Sequence, residues 1–497
     1  MKIAIILPTQ LFESSNLLGE FTVDDIIIMY EHPVYFTDYN YHKMKLVMHR
    51  ATMKYYYDYL NKKYKSLIVY LDFDSDYIKV INKYKYESIN VYNPYDSKIS
   101  SEFKKNFKNL VVHSNPGFMC DSDVYKEYLS SEKTNRYINH SFYIWCRKHF
   151  NILMNGDKPV GGKWSFDGDN RLPFPKNYAD QYLFTPKKNK YIDEAKKYIN
   201  SNFKKNHGDT DYYLPMSFDE SLDQLKKFLK YKLNNFGPYE DATDKNVIFG
   251  PHSVLSPLIN IGFLTPKDVI TYVESYYKKH KTTVKFQSVE GFVRQLFWRE
   301  YCAFVYIYKE KEFYKNTFDH KNKLAPDWYT GNTKFEFIND IIKKCLKYGY
   351  AHHIERLMYV GNIMLLTEIN PKYVYKWFME MFIDAYPWVM VPNVYGMSQY
   401  AGGSLMTKRP YFCSSNYIHK MSSYKKKAGV YDQIILKGEA YEWYEVLDAL
   451  FYNFIENNKA MLKKNYSIAG IVSFWNKKTK LEKNQIINIA ESYMSKY

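Results

Sequence analysis

MKIAIILP, residues 1–8, opens the chain with an apolar run too short for a signal-peptide core and followed by no cleavage pattern. It reads instead as a buried first strand. IIIMYE (26–31) and SLIVYLDF (66–73) repeat the pattern, short apolar runs bounded by polar residues, as expected of parallel strands covered on both faces. Between them, HKMKLVMHRATMKYYYDYLNKKY (42–64) spaces Leu46, Met53, Tyr57 and Leu60 along one helix face. NLVVHS (109–114) adds a further strand. Strand–helix alternation over residues 1–130 predicts an α/β domain with a doubly wound parallel sheet.

Beyond it, MNGDKPVGGKWSFDGDNRLPFPK (154–176) is rich in Gly, Pro and Asp and has no periodicity, so it reads as a loop or linker. From about residue 215 the spacing becomes helical. SLDQLKKFLKYKLNNF (221–236), EGFVRQLFWREYCAFVYIYKEKEFY (290–314), KFEFINDIIKKCLKYGYAHHIERLMYVGNIMLLTEI (334–369) and EWYEVLDALFYNFIENNKAML (442–462) predict an all-helical second half.

The 497 residues suffice for two or three domains, and 46% hydrophobic with 25% charged residues fits a soluble globular protein. A net charge of +17 favours polyanions, nucleic acid first, although a lysine-rich solvated surface gives the same number. Cys120, Cys146, Cys302, Cys345 and Cys413 are scattered and odd in number, which argues against a disulfide framework or a closed metal site. No apolar run reaches the roughly 18 residues that span a membrane. A reducing, intracellular setting is expected.

Three segments concentrate chemistry. FGPHSVLSPLINIGFLTP (249–266) sets Ser253 and Ser256 ahead of a helix starting at Pro257. Hydroxyls and free N–H groups there suit an anion, or form an ordinary N-cap. In SVEGFVRQLFWREY (288–301), Gln295, Trp298 and Arg299 share a helix face, as a pocket floor or as a core aromatic with flanking surface charges. YAHHIERLMYVGN (350–362) pairs His352 and His353 with Arg356. Adjacent helical side chains point about 100° apart, so metal chelation is disfavoured, and a structural role stands beside a chemical one.

With FIDAYPWVMVPNVYGMSQYAGG (382–403) and KRPYFCSSNYIHKMSS (408–423), these stretches resemble the flavin-binding core of the photolyase/cryptochrome superfamily. The nearest likeness is to the prokaryotic (6-4) photolyase group. IILPTQLF, YHKMKLVMHRATM and the 154–176 connection resemble it as well. The resemblance implies the photolyase fold: an α/β domain over 1–130, a helical and loop connection over 131–214, and an all-helical FAD-binding domain over 215–497. It implies FAD held by Ser253, Leu255, Ser256, Arg356, Asp384 and Asn393. His353 would be the acid–base residue, with His352 its neighbour. Gln295, Trp298, Tyr411 and Tyr417 would meet an extruded lesion, and Lys408 and Arg409 the phosphates of UV-damaged DNA. Gln295 stands where cyclobutane-dimer enzymes have Glu. Trp377, Tyr386 and Tyr329 would carry electrons to the flavin.

The sequence departs from the group where iron–sulfur cysteines are expected. Those positions are Phe337, Lys425, Ala428 and Tyr441, so no cluster is expected, with aromatic packing in its place. The group's ribityllumazine antenna would fall to Gln10 and Glu31, but Thr9 replaces the usual acid. The implied activity is (6-4) repair by a monomer. The alternatives are a cryptochrome-like photoreceptor that binds FAD without repair, and a silent DNA-binding or structural protein.

Overall fold

The computed structural model describes residues 1–495 except 135–136, 170, 180–183, 186 and 432. Five parallel strands form the N-terminal sheet: β1 (Lys2–Ile6), β2 (Ile26–Tyr30), β3 (Leu67–Leu71), β4 (Ser88–Tyr92) and β5 (Leu110–His113). Their order is β3-β2-β1-β4-β5, with Ile5 of β1 opposite Ile28 of β2 and Val91 of β4. This is the expected doubly wound sheet. β1 and β2 are buried, whereas the edge strands expose Leu67, Val111 and Val112.

β4 has no counterpart in the sequence reading. Its SINVY places Ser88 and Asn90 within the strand, which interrupts the apolar run. The fold satisfies Asn90 from both neighbours: its Nδ2 reaches the Ile3 carbonyl at 3.4 Å and its Oδ1 the His113 ring at 3.0 Å. The strand order reverses between β1 and β4, where doubly wound sheets usually open a crevice. Gln10 closes it here, accepting from Leu7 N and donating to the Tyr92 carbonyl, each at 3.2 Å.

The helix Lys43–Lys63 is buried over most of its first half because helix Lys190–Asn202 and the C-terminal half cover it. Tyr56 is fully buried and bonds the Phe12 carbonyl at 2.8 Å, while Tyr57, expected on the buried face, is half-buried. Lys45 sits inside, donating to the Ala385 carbonyl at 2.5 Å between the Tyr41 and Tyr386 rings. Burial draws its pKa down to about 7, partly opposed by Asp384.

The second half is built on the 28-residue helix Phe286–Phe313. It is not wholly helical: Ile434–Leu436 and Glu439–Tyr441 form a small antiparallel hairpin. Two segments, Glu355–Gly361 and Val391–Ser398, are π-helical. They pass so closely that a Cβ at Gly361 would lie 2.2 Å from Ser398 Oγ. The halves are joined by Leu11 N donating to the Ile261 carbonyl at 2.8 Å. Gly262 beside it has φ +95°, and a Cβ there would fall 2.9 Å from Leu11 N.

Aromatic side chains enclose Phe337, one of the four positions where the resemblance led cysteines to be expected. Phe337 is buried, with its ring centroid 5.6 Å from Trp443, 5.8 Å from Tyr424 and 6.1 Å from Tyr359. Lys425 donates to the His419 and Ser422 carbonyls at 2.9 and 2.7 Å, closing the end of helix Ser415–Met421. Ala428 is exposed, and Tyr441 bonds Glu439. Among the described residues, no helix is long and apolar enough to cross a membrane.

Candidate functional site

A cavity of about 250 Å³ opens between helix Phe286–Phe313 and the two π-helical segments. π-helical turns recur at functional sites because they re-aim side chains that a regular helix would stack. Here one turn presents Arg356 and the other Asn393. The Arg356 guanidinium forms a bidentate pair with Asp384 at 2.9 and 3.1 Å, and its Nε donates to the Ala351 carbonyl at 2.6 Å. Burial works against the guanidinium charge, but Asp384 outweighs it and holds the Arg356 pKa above its ordinary value. The plane of Arg356 rests on the Phe382 ring, 4.0 Å from its centroid.

The Ser256 hydroxyl donates to Asp384 at 2.8 Å, so it completes the ion pair instead of standing free as an anion ligand. The helix begins at Ser256, one residue before Pro257. Ser253 and Leu255 line the same cavity. Between them Val254 has φ +54°, a left-handed conformation that is strained for a β-branched residue by about 1–3 kcal/mol. Gln224 holds the turn by donating to the Ser253 and Val254 carbonyls, both at 3.1 Å.

Gln295 and Trp298 form part of the cavity wall. Gln295 Nε2 donates to Glu240 at 2.6 Å, which leaves its carbonyl oxygen to accept. The Trp298 indole N–H points to Asn393 Oδ1 at 3.4 Å, and Asn393 Nδ2 donates to the Val389 carbonyl at 2.8 Å. Arg299, on the same helix face, lines the cavity with its side chain only 11% exposed. It lies between the Phe118 and Trp388 rings and donates to the Gly117 carbonyl at 2.7 Å, so it binds the two halves together. Burial lowers its pKa, against the pull of adjacent Glu300.

The two histidines diverge, and His352 precedes the helix instead of lying on it. His353 is exposed within the cavity mouth, where the surrounding protein and then Arg356 push its pKa below the ordinary value. Water reaches this ring, which moderates the shift. His352 is buried, bonds Thr243 at 3.2 Å and stacks on His252 with centroids 4.6 Å apart. Glu355, paired with Lys344, accepts from the His352 backbone N–H at 3.1 Å and fixes this turn.

Residues 4–213 match the family model of deoxyribodipyrimidine photo-lyase-related proteins. Over 340 residues the chain is 34% identical to a (6-4) photolyase from Agrobacterium fabrum, covering 67% of this chain and 65% of that relative. A bacterial class III photolyase from Agrobacterium tumefaciens has a similar fold, with a TM-score of 0.55 at 16% identity over 82% of each chain. The chain has the photolyase fold and is similar in sequence to photolyase-related proteins. It spans just under two thirds of the (6-4) photolyase that it matches. An uncharacterized protein of Acanthamoeba polyphaga mimivirus is also similar, 35% identical over 187 residues, which are 35% of this chain and 95% of that protein.

Other residues expected to serve a photolyase lie outside the cavity. Trp377 is buried behind its wall, 5.6 Å from the ring of cavity-lining Phe378 and 6.4 Å from that of Trp328. Tyr329 stacks on His207 at 4.5 Å and donates to Glu380 at 2.6 Å. Tyr386 sits apart, its hydroxyl 3.3 Å from His49. Lys408 and Arg409 are exposed on the loop leading to half-buried Tyr411 and Tyr417. Gln10 is spent on the sheet crevice. Glu31 is buried, bonded to Arg50 at 3.1 Å and Tyr70 at 2.6 Å, and burial raises its pKa to about 7 despite Arg50.

Sequence reasoning overlooked His252, Glu240, Thr243 and Trp328. Only His252, adjacent to Ser253 in PHSVLSP, carried a local signal.

Proposed function

We propose that this protein is a member of the photolyase superfamily, a (6-4) photolyase that binds FAD and repairs UV-damaged DNA in the light. The observation that carries the reading is one cavity in which His353, Gln295 and Trp298 face the Arg356–Asp384 pair and Asn393. The name of the Agrobacterium fabrum relative supports it. The residues fit a flavin: Arg356 and Asn393 offer polar groups to a ring edge, Leu296, Phe378 and Met390 offer apolar walls, and the Ser253 hydroxyl, which among the described residues only accepts, from Leu255 N, suits the diphosphate. Bound there, reduced FAD would supply the light-driven electron to the lesion and recover it after repair.

The protein's part is placement and proton handling. Arg356, locked by Asp384, offsets negative charge at the ring edge. Trp298 stacks on a base extruded from the duplex. The free Gln295 carbonyl accepts from that base's N–H. His353 is neutral at pH 7, so it takes a proton from the lesion hydroxyl and returns it to the product. Lys408 and Arg409 hold phosphates, with Tyr411 and Tyr417 beside the lesion. Trp377, backed by Trp328, serves the flavin's recharging, with Tyr386 and Tyr329 as more distant carriers.

The test is blue-light repair of an oligonucleotide carrying one (6-4) lesion, with a cyclobutane-dimer substrate in parallel. Restored thymines on the first substrate, lost in His353→Ala while flavin stays bound, are expected. Repair of neither by a flavin-loaded, photoreducible protein would overturn the reading in favour of a cryptochrome-like photoreceptor.

A further inference from the structure

Two acid-free stretches of sequence meet at the surface beside Lys408. Residues 385–431 contain no Asp or Glu and carry Lys408, Arg409, Lys420, Lys425, Lys426 and Lys427. Residues 457–481 likewise contain no acid and carry Lys459, Lys463, Lys464, Lys477, Lys478 and Lys480. Asn465 joins them, its Nδ2 donating to the Lys408 carbonyl at 2.7 Å. The same side chain caps helix Tyr466–Asn476 by accepting from Ser467 N at 3.2 Å and Ser467 Oγ at 2.7 Å. The turn before this helix is therefore fixed against the Lys408–Arg409 loop.

Tyr466 begins the helix and is 99% exposed. A tyrosine offers a large stacking surface at low entropic cost, and here nearly all of it faces water. Gly470, Ser473 and Lys477 follow on the same face, four, seven and eleven residues on, and all are exposed. A Cβ added at Gly470 would meet nothing within 4 Å, so a nucleic-acid backbone has room to come close. Lys463, Lys464 and Lys477 are exposed as well.

We propose that the Lys463–Lys477 turn and helix form a second DNA-contacting element, which grips the duplex flanking the lesion. Lys463, Lys464 and Lys477 take phosphates, and Tyr466 packs on an exposed base or sugar face. The partner is DNA because the element continues the Lys408–Arg409 loop and sets Gly470, Ser473 and Lys477 on the Tyr466 face; Ile471 and Phe474, also exposed on this helix, are the reason a membrane surface is tested beside it. The inference rests on the repair reading above.

The experiment is fluorescence anisotropy with a labelled duplex carrying one (6-4) lesion, over a salt titration. In Lys463→Ala/Lys464→Ala, the slope of log affinity against log salt should fall by about 1.8, roughly 0.9 for each lost phosphate contact. Tyr466→Ala should weaken binding roughly five-fold or more with the slope kept. Both effects should shrink on a duplex trimmed close to the lesion. Tight wild-type binding with an unchanged slope and affinity in the variants would overturn the proposal and leave the repair reading intact. Variants that lose binding to phosphatidylserine vesicles but not to DNA would overturn it in favour of a membrane surface. A wild-type protein that ignores DNA would instead sink the repair reading, and this proposal with it.

Discussion

Asp384→Asn tests the pair on which the cavity is built. The Arg356 and Asp384 side chains are only 11% and 10% exposed, so solvent screens them little. The two charge-assisted hydrogen bonds, at 2.9 and 3.1 Å, become one, because the Asn oxygen still accepts while its NH2 cannot, and Arg356 stays charged with little access to water. Breaking a buried pair by neutralising one partner costs about 3–5 kcal/mol. Ser256 can still bond the new amide, which favours the lower end, about 3 kcal/mol. Urea denaturation at pH 7, followed by circular dichroism, measures the loss in the flavin-free protein. Arg356→Met and the double variant complete a thermodynamic cycle. Removing both charges leaves none buried, so the double variant should cost about 2 kcal/mol less than the two singles summed. A loss below about 1 kcal/mol in Asp384→Asn, or an additive cycle, would refute the claim that this ion pair organises the site.

Three further outcomes follow from the packing and the titrating groups. Gly361→Ala forces a methyl against Ser398 Oγ and should cost about 1–3 kcal/mol, with Ser398→Ala restoring part of it; an unchanged melting temperature would contradict the close crossing of the π-helical segments. Phe337→Ala should cost about 3–5 kcal/mol in the same denaturation assay, because its ring is enclosed by Tyr359, Tyr424 and Trp443. Acid should destabilise the fold. Burial lowers the pKa of His42 and His320 to about 4 and holds His49, His252 and His352 well below the ordinary value. The unfolded chain therefore binds more protons below pH 6.5, and stability is lost as pH falls from there toward 4, by up to about 3 kcal/mol for His42 alone. Glu31 works in the opposite direction between pH 7 and 4.5, as do Asp241, raised by burial to about 6, and Asp96 and Glu300, also raised by burial. The histidines shifted down are more numerous, with His113, His207 and His353 lowered by burial as well. A denaturation midpoint that stays level from pH 7.5 to pH 5 would refute this balance.

Much of the architecture was legible in the chain because its signal is local. The apolar runs at 3–8, 26–31 and 66–73 became β1, β2 and β3, since strands covered on both faces admit few polar side chains. β4 escaped because its Asn90 is satisfied by β1 and β5, partners remote in sequence. Arg299 could be read as part of a pocket floor or as a surface charge for the same reason. What buries it, Phe118 and Trp388, arrives from distant segments.

Ser253, Leu255, Ser256, Gln295, Trp298, Arg356, Asp384, Asn393 and both histidines could be singled out in the sequence, and the fold gathers them around one cavity. The resemblance assigned the acid–base role to His353 and the supporting place to His352, but what separates the two rings could not be read. His352 turns inward because Thr243 bonds its ring and the Glu355–Lys344 pair holds its backbone, while His353 is left to the open mouth. Residue type and spacing thus determined the class of fold and the chemistry within reach. Only tertiary packing decided which polar groups stay free to act, because a side chain's partners, unlike its periodicity, are supplied by the rest of the chain.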